Sequence, residues 1–138
     1  MTTFNIQQRQ ISKPVKSARP HGSEVRISAA IPYRIWYERG KLLTQQGCYE
    51  AAIASFDTAL SLQANEHRLW IYRGIALAYL ECYEAALASF NQAVELVPNN
   101  RAAWIFRGAT LTYLKRPHEA SNSYRIALTL PQPGNASS

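Results

Sequence analysis

The side chains of this 138-residue chain with the most chemical capacity are Cys48 and Cys82, His21, His67 and His118, and a set of arginines. None of them forms a constellation. The histidines lack the short spacings of a metal site, and the two cysteines are far apart in the chain rather than at ligand spacing. There is no glycine-rich phosphate loop and no paired nucleophile and base. The sequence therefore predicts no enzymatic activity, no metal and no cofactor. The 34-residue interval between the cysteines is itself the more informative signal, because Cys48 and Cys82 open identical blocks, Cys-Tyr-Glu-Ala-Ala.

That interval runs through most of the chain. Trp36, Trp70 and Trp104 keep the same spacing and each leads into Arg-Gly, at Arg39-Gly40, Arg73-Gly74 and Arg107-Gly108. The same register holds for Leu43, Leu77 and Leu111; Ala52, Ala86 and Ala120; Phe56, Phe90 and Tyr124; and Ala59, Ala93 and Ala127. Three copies follow, at residues 33–66, 67–100 and 101–134, with residues 135–138 left as a short end. A period of this length marks a stacked array that presents a surface rather than a single catalytic pocket.

Within a copy the apolar residues recur every three or four positions, on one face at Trp36, Gly40 and Leu43 and on another at Ala52, Phe56 and Ala59. Two helices per copy are predicted, broken at Gly47 in the first copy and restarted at Pro117 in the third, where proline suits a first helical position. The expected fold is all-α, six helices in three hairpins. Glu38, Lys41, Thr44, Gln45 and Gln46 give the first copy a polar leading helix, whereas the middle copy has Tyr72, Ile75, Ala78, Tyr79 and Leu80. Ser121-Asn122 make the last helix polar where earlier copies have Ile53-Ala54 and Leu87-Ala88, so the middle copy is expected to be the most buried and the array complete. Trp70 is then the candidate core aromatic, with truncation to Ala costing about 3–5 kcal/mol.

These columns of Trp, Gly, small Ala, aromatic and late Pro resemble the tetratricopeptide repeat family, an α-α superhelix of 34-residue helical hairpins. The late Pro survives as Pro98, and an arginine stands before each Gly where the family usually has a large aliphatic residue. That arginine looks like a variant of bacterial members. Its expected part is structural, its stem on the inter-helix seam and its guanidinium on a carboxylate or carbonyl at the edge, with a functional arginine ladder as the alternative. Stacked hairpins would hold Cys48 and Cys82 roughly 8–10 Å apart, beyond the span of about 7 Å that a disulfide tolerates, so free thiols in a reducing compartment are expected. A reactive thiol at a helix start is the other reading.

Residues 1–32 are different material, with Arg9, Lys13, Lys16, Arg19 and Arg26 against the single Glu24. Pro14, Pro20, Gly22 and few apolar residues predict a disordered basic tail. It has no apolar stretch of signal or membrane length, which makes the cytoplasm the expected location and an organelle transit peptide the alternative. Val25, Ile27, Ala29 and Ile31 alternate with Arg26, Ser28 and Ala30. A tail of this length reaches roughly 30 Å, and tethering at about millimolar effective concentration would let residues 25–31 return to the repeat surface and compete with a partner.

The resemblance implies a concave surface lined by the first helices of successive copies, which takes an extended peptide or a helix of another protein. Column by column this surface comprises Arg34, Tyr37, Lys41, Thr44 and Gln45; Arg68, Ile71, Ile75, Ala78 and Tyr79; and Ala102, Ile105, Ala109, Thr112 and Tyr113. It is basic at one end and aromatic-aliphatic at the other, which suits an apolar segment with an acidic flank. Ala78, Ala109 and Ile75 could equally serve only to pack helices. Chaperone-binding members clamp a terminal carboxylate with Lys, Asn and Arg on this face, and the Asn positions are not matched here. A protein-binding adaptor is thus the first reading. The second is an RNA or other nucleic-acid partner held by the basic tail, although the near-neutral repeats carry no recurring base-reading pair.

Overall fold

The computed structural model describes residues 31–131. They form six helices, α1 (Tyr33–Gln45), α2 (Tyr49–Leu62), α3 (His67–Tyr79), α4 (Tyr83–Leu96), α5 (Arg101–Tyr113) and α6 (Pro117–Thr129), paired as three hairpins. Residues 1–30 of the basic tail expected at 1–32, including most of the segment expected to return to the repeats, lie outside the described residues, as do residues 132–138. Among the described residues there is no strand, and no helix is long and apolar enough to cross a membrane.

Each hairpin is closed by a glycine against an aromatic ring. A Cβ placed on Gly40 would lie 2.5 Å from the Phe56 ring, on Gly74 2.6 Å from Phe90, and on Gly108 2.8 Å from Tyr124. Only a residue without a side chain lets the two helices come this close. Ala52, Ala59, Ala86 and Ala93, all fully buried, continue the tight seam along the second helices.

The turn inside each hairpin is also repeated. Gly47, Glu81 and Lys115 adopt positive φ of 81°, 62° and 62°. In each, the next residue's N–H reaches five residues back, from Cys48 to Leu43 O at 2.8 Å, Cys82 to Leu77 O at 2.9 Å and Arg116 to Leu111 O at 2.9 Å. This is the left-handed helix stop that glycine favours, so the second and third copies hold the same backbone with strained side-chain-bearing residues. Pro117 occupies the first turn of α6 as its ring requires. At the other ends, Glu66 and Asn100 cap α3 and α5, the Asn100 side chain accepting from Ala103 N at 3.0 Å.

Hairpins stack through mixed cores. One joins Tyr37, Phe56 and Leu60 to Leu69 and Ala76 of the next hairpin, and a second joins Ile71, Phe90 and Val94 to Ala103. The middle copy contributes the most buried side chains, including Leu69, Ile71, Leu77, Leu87 and Phe90. The tryptophans differ from the expectation. All three are only partly buried, and Trp70 Nε1 donates to Ala64 O at 3.0 Å while Trp104 Nε1 donates to Pro98 O at 2.6 Å. Trp70 and Trp104 thereby brace the turn that leads into their own helix. The fully buried aromatics are Phe56 and Phe90, because the hairpin interior is reached from the second helix and the indole sits at its rim.

The arginine before each glycine is structural in position. Its Nη1 donates to a buried serine of the paired helix, Arg39 to Ser55 at 3.2 Å, Arg73 to Ser89 at 2.9 Å and Arg107 to Ser123 at 2.6 Å. Its Nε crosses to the preceding hairpin, from Arg73 to Asp57 Oδ1 at 2.6 Å and from Arg107 to Asn91 Oδ1 at 2.6 Å. Each guanidinium also lies 5.7–6.0 Å from the indole centroid of its own copy's tryptophan. The expected carboxylate partner is Asp57; the serine column, which keeps the repeat interval, is an addition the structure supplies.

Two opposite stability changes follow. Gly74→Ala should cost about 1–3 kcal/mol or more, since the Phe90 ring it meets is itself enclosed, whereas Lys115→Gly should stabilise by up to about 1 kcal/mol through relief of its positive φ. Phe90→Ala, not Trp70→Ala, should carry the cost of about 3–5 kcal/mol of a core aromatic. Urea unfolding midpoints of the three variants and Trp70→Ala check the order.

Candidate functional site

The first helices of neighbouring hairpins touch, α1 against α3 and α3 against α5, and so make one continuous face. The structure distributes the expected surface residues over three places on it.

At the junction of the first two copies Tyr37 is buried, its ring edge-on to Tyr72 at 5.6 Å, so it supports the surface from below and does not present itself to a partner. Lys41 Nζ lies over the same two rings, 4.9 Å from Tyr37 and 5.6 Å from Tyr72, and 3.6 Å from Glu38. Arg68 stacks on Tyr37 at 5.8 Å and donates through Nε to Glu66 at 2.8 Å. Glu66 also caps α3 by accepting from Arg68 N and receives the Tyr33 hydroxyl at 3.3 Å, which ties α1 to the start of α3. The Arg68 guanidinium holds the Glu66 carboxyl below its ordinary 4.5, and Glu66 in turn strengthens the proton on Arg68. Burial pushes the Tyr37 phenol up to about 12, so it stays neutral. Arg34 and Gln45 are exposed, and Thr44 turns its hydroxyl back to Gly40 O at 2.8 Å.

At the second junction the face opens into a cleft of about 510 Å³, lined by Ile75, Ala78 and Tyr79 of α3 and Ala109 and Tyr113 of α5, with Phe106, Tyr83, Phe90, Thr110 and Glu81 completing it. Tyr79 and Tyr113 are 62 % and 64 % exposed. Each is stacked parallel on a tyrosine of the preceding hairpin's second helix, Tyr79 on Tyr49 at 4.8 Å and Tyr113 on Tyr83 at 4.7 Å. Ile71 is buried, contrary to its expected place on the surface, because the register that puts Tyr37 under the next hairpin puts Ile71 there too. Ile105, the third residue of that column, is exposed and lies with Ala102 in a separate depression. Thr112 lies outside the cleft, its hydroxyl on Gly108 O at 3.0 Å.

Sequence reasoning missed Tyr49, Tyr83 and Phe106. The signal was available in the repeated Cys-Tyr-Glu-Ala-Ala block, whose tyrosine recurs at the repeat interval just as the groove tyrosines do. Cys48 and Cys82 are both free and exposed, immediately before α2 and α4. Among the described residues no group of His, Cys, Asp or Glu could hold a metal ion.

Stacked 34-residue helical hairpins with a groove along their first helices define a helical-repeat solenoid. Residues 33–66 and 67–100 match the tetratricopeptide repeat profile, and the chain belongs to that family. Similar solved structures include the second tetratricopeptide domain of Spaghetti (RPAP3) bound to the HSP90 peptide SRMEEVD, 24% identical over 78% of this chain and 99% of that one, with a TM-score of 0.71. The first such domain of the same protein, bound to the same peptide, is 26% identical over 76% and 84%, TM-score 0.70. The Arabidopsis OM64 tetratricopeptide domain is 24% identical over 76% and 88%, TM-score 0.70. No curated protein matches the chain in sequence.

The Glu66 bonds give the fold a pH dependence of definite sign. Its folded pKa lies below 4.5, so its contribution to stability is full above that value and is lost as pH falls below 4.5 through the folded pKa. Thermal unfolding of Glu66→Gln should therefore fall less steeply with acid than that of the wild type, and the two curves should converge at the acid end.

Proposed function

We propose that the chain is a non-enzymatic interaction scaffold that takes a segment of another protein along the face of α1, α3 and α5. The observation that carries this reading is the aromatic cleft of about 510 Å³ at the second junction. Tyr79 and Tyr113 combine large exposure with rings already ordered by stacking, so a partner gains contact area with little side-chain entropy lost. Apolar residues of the partner fill the space between Ile75 and Ala109. A flank running toward Arg34 and Lys41 is favoured if acidic.

Structural relatives carry the acidic peptide SRMEEVD. The cleft here is lined by tyrosines and aliphatic residues, which fits an apolar extended peptide or helix better than a run of carboxylates. Four arginines of the described repeats are engaged within the fold, which leaves them poorly placed to hold a phosphate backbone. Arg68, Arg73, Arg107 and Arg116 are held by Glu66, Asp57, Asn91 and Glu119 within the fold.

Arg68→Glu would set two carboxylates together at the α3 cap, so charge reversal there tests the fold as much as the groove. Ala109→Arg is the cleaner probe, since it fills the cleft from a partly exposed position. Proteins retained from lysate by the full chain should be lost by at least about tenfold with Ala109→Arg, about 1.4 kcal/mol or more, and weakened to a smaller degree with Tyr113→Ala, at unchanged helical content. Retention at wild-type level by Ala109→Arg would place binding elsewhere.

A further inference from the structure

The last hairpin keeps an apolar stacking face that its predecessors have covered. Leu60 and Val94 are each 9 % exposed, and Leu128, the next residue of that column, is 78 % exposed. Tyr37 and Ile71 are buried while Ile105 is exposed at 42 %, and Tyr124 is exposed where Phe56 and Phe90 are enclosed. In the first two copies the covering element is the first helix of the next hairpin, through Leu69 and Ala76 or through Ala103. The depression of about 430 Å³ lined by Thr112, Lys115, Pro117 and Tyr124 repeats the columns of Ala78, Glu81, Tyr83 and Phe90, which form one wall of the central cleft. Among the described residues it is that wall without the opposing helix.

The charge on this face selects what can cover it. At the two internal junctions the arriving helix brings an arginine, and the receiving helix offers an acceptor, Asp57 to Arg73 and Asn91 to Arg107. The third residue of the receiving column is Arg125, exposed and hydrogen-bonded to Asn122. A second copy stacking in the same register would bring Arg39 against Arg125, two guanidiniums where the internal junctions pair donor with acceptor.

We propose that this face docks an amphipathic helix of another polypeptide, one that lays apolar residues on Ile105, Tyr124 and Leu128 and sets a carboxylate against Arg125, and that Arg125 at the same time rejects a second copy of the chain. The site is separate from the groove and does not rest on the groove's function.

The test uses two synthetic peptides of the α3 sequence, residues 67–79, held helical by a side-chain staple, one with Arg73 retained and one with Arg73→Glu. Exchanging the acid and the arginine across the junction, with Glu in place of Asp, lengthens the Arg73–Asp57 pair by only one methylene. Against the full chain, the Glu peptide should bind at least about tenfold tighter than the Arg peptide, with NMR shifts at Ile105, Tyr124 and Leu128. The preference should reverse on R125D, and both should be lost on L128D; both substitutions are at exposed positions, and circular dichroism verifies their folding. Wild type should sediment as a monomer, and R125D should associate in a concentration-dependent way that R39E suppresses. The proposal is overturned if neither peptide binds, if R125D leaves the preference unchanged, if the shifts fall on Tyr79 and Tyr113, or if wild type itself associates through Leu128. Ala109→Arg, which blocks the groove, should leave peptide binding at this face unaltered, so the two readings fail separately.

Discussion

The close approach of a glycine backbone to an aromatic ring, three times at the same place in a 34-residue unit, is the constraint on which the rest of this structure depends. Because interiors are packed to crystal-like density, a methyl group at Gly40, Gly74 or Gly108 has nowhere to go while Phe56, Phe90 and Tyr124 stay where they are. The interhelix distance so set brings the serine column within reach of the arginine column. Ser55, Ser89 and Ser123 are buried hydroxyls that would each be a liability without a partner, and Arg39, Arg73 and Arg107 supply it. The guanidiniums of Arg73 and Arg107 then span to Asp57 and Asn91, so one side chain closes its own hairpin and fixes the neighbour's position.

Stacking fixed in this way decides which residues of the first helices can meet a ligand. Tyr37 and Ile71 fall under the next hairpin, while Tyr79 and Tyr113, at the far ends of α3 and α5, stay exposed. Their rings are held by Tyr49 and Tyr83 from the second helix of the hairpin before. A surface tyrosine in isolation samples several rotamers. One stacked on a second ring arrives already oriented, which links a packing detail to the capacity for binding.

Most of the fold was legible in the sequence because identical columns at a fixed interval constrain one another. Trp-Arg-Gly, the alanines and the phenylalanines pointed to two helices per copy, and the helices do begin at Tyr33, His67 and Arg101. The depth of each side chain was less legible. A tryptophan in every copy reads as core, yet it lies at the rim with its indole N–H on the preceding turn in the second and third copies. The groove was legible as a set of columns and not as a set of exposed residues, because the register between hairpins, which buries Tyr37 and Ile71, is a property of pairs of copies and leaves no mark within one. The arginine's serine partner was missed for a similar reason: a serine on a helix reads as solvent-facing until a guanidinium of the paired helix is known to reach it.

Where the three copies agree they build the scaffold, and where they differ they make surfaces. The column Lys41, Ile75, Ala109 shortens along the chain. At the first junction Lys41 covers Tyr37 and Tyr72, and Tyr72 packs against Phe56, so the space is filled. At the second, Phe106 stacks on Phe90 at 5.6 Å in the place of Tyr72, Ile75 stands where Lys41 did and Ala109 where Ile75 did, and the volume these shorter side chains release is open cleft. The cleft is thus a consequence of one column losing its side chain while the arginine and glycine columns hold the helices at constant distance. A stacked repeat can acquire a recognition surface in this way without a change in its fold, since shortening a partly exposed column leaves the arginine and glycine contacts in place.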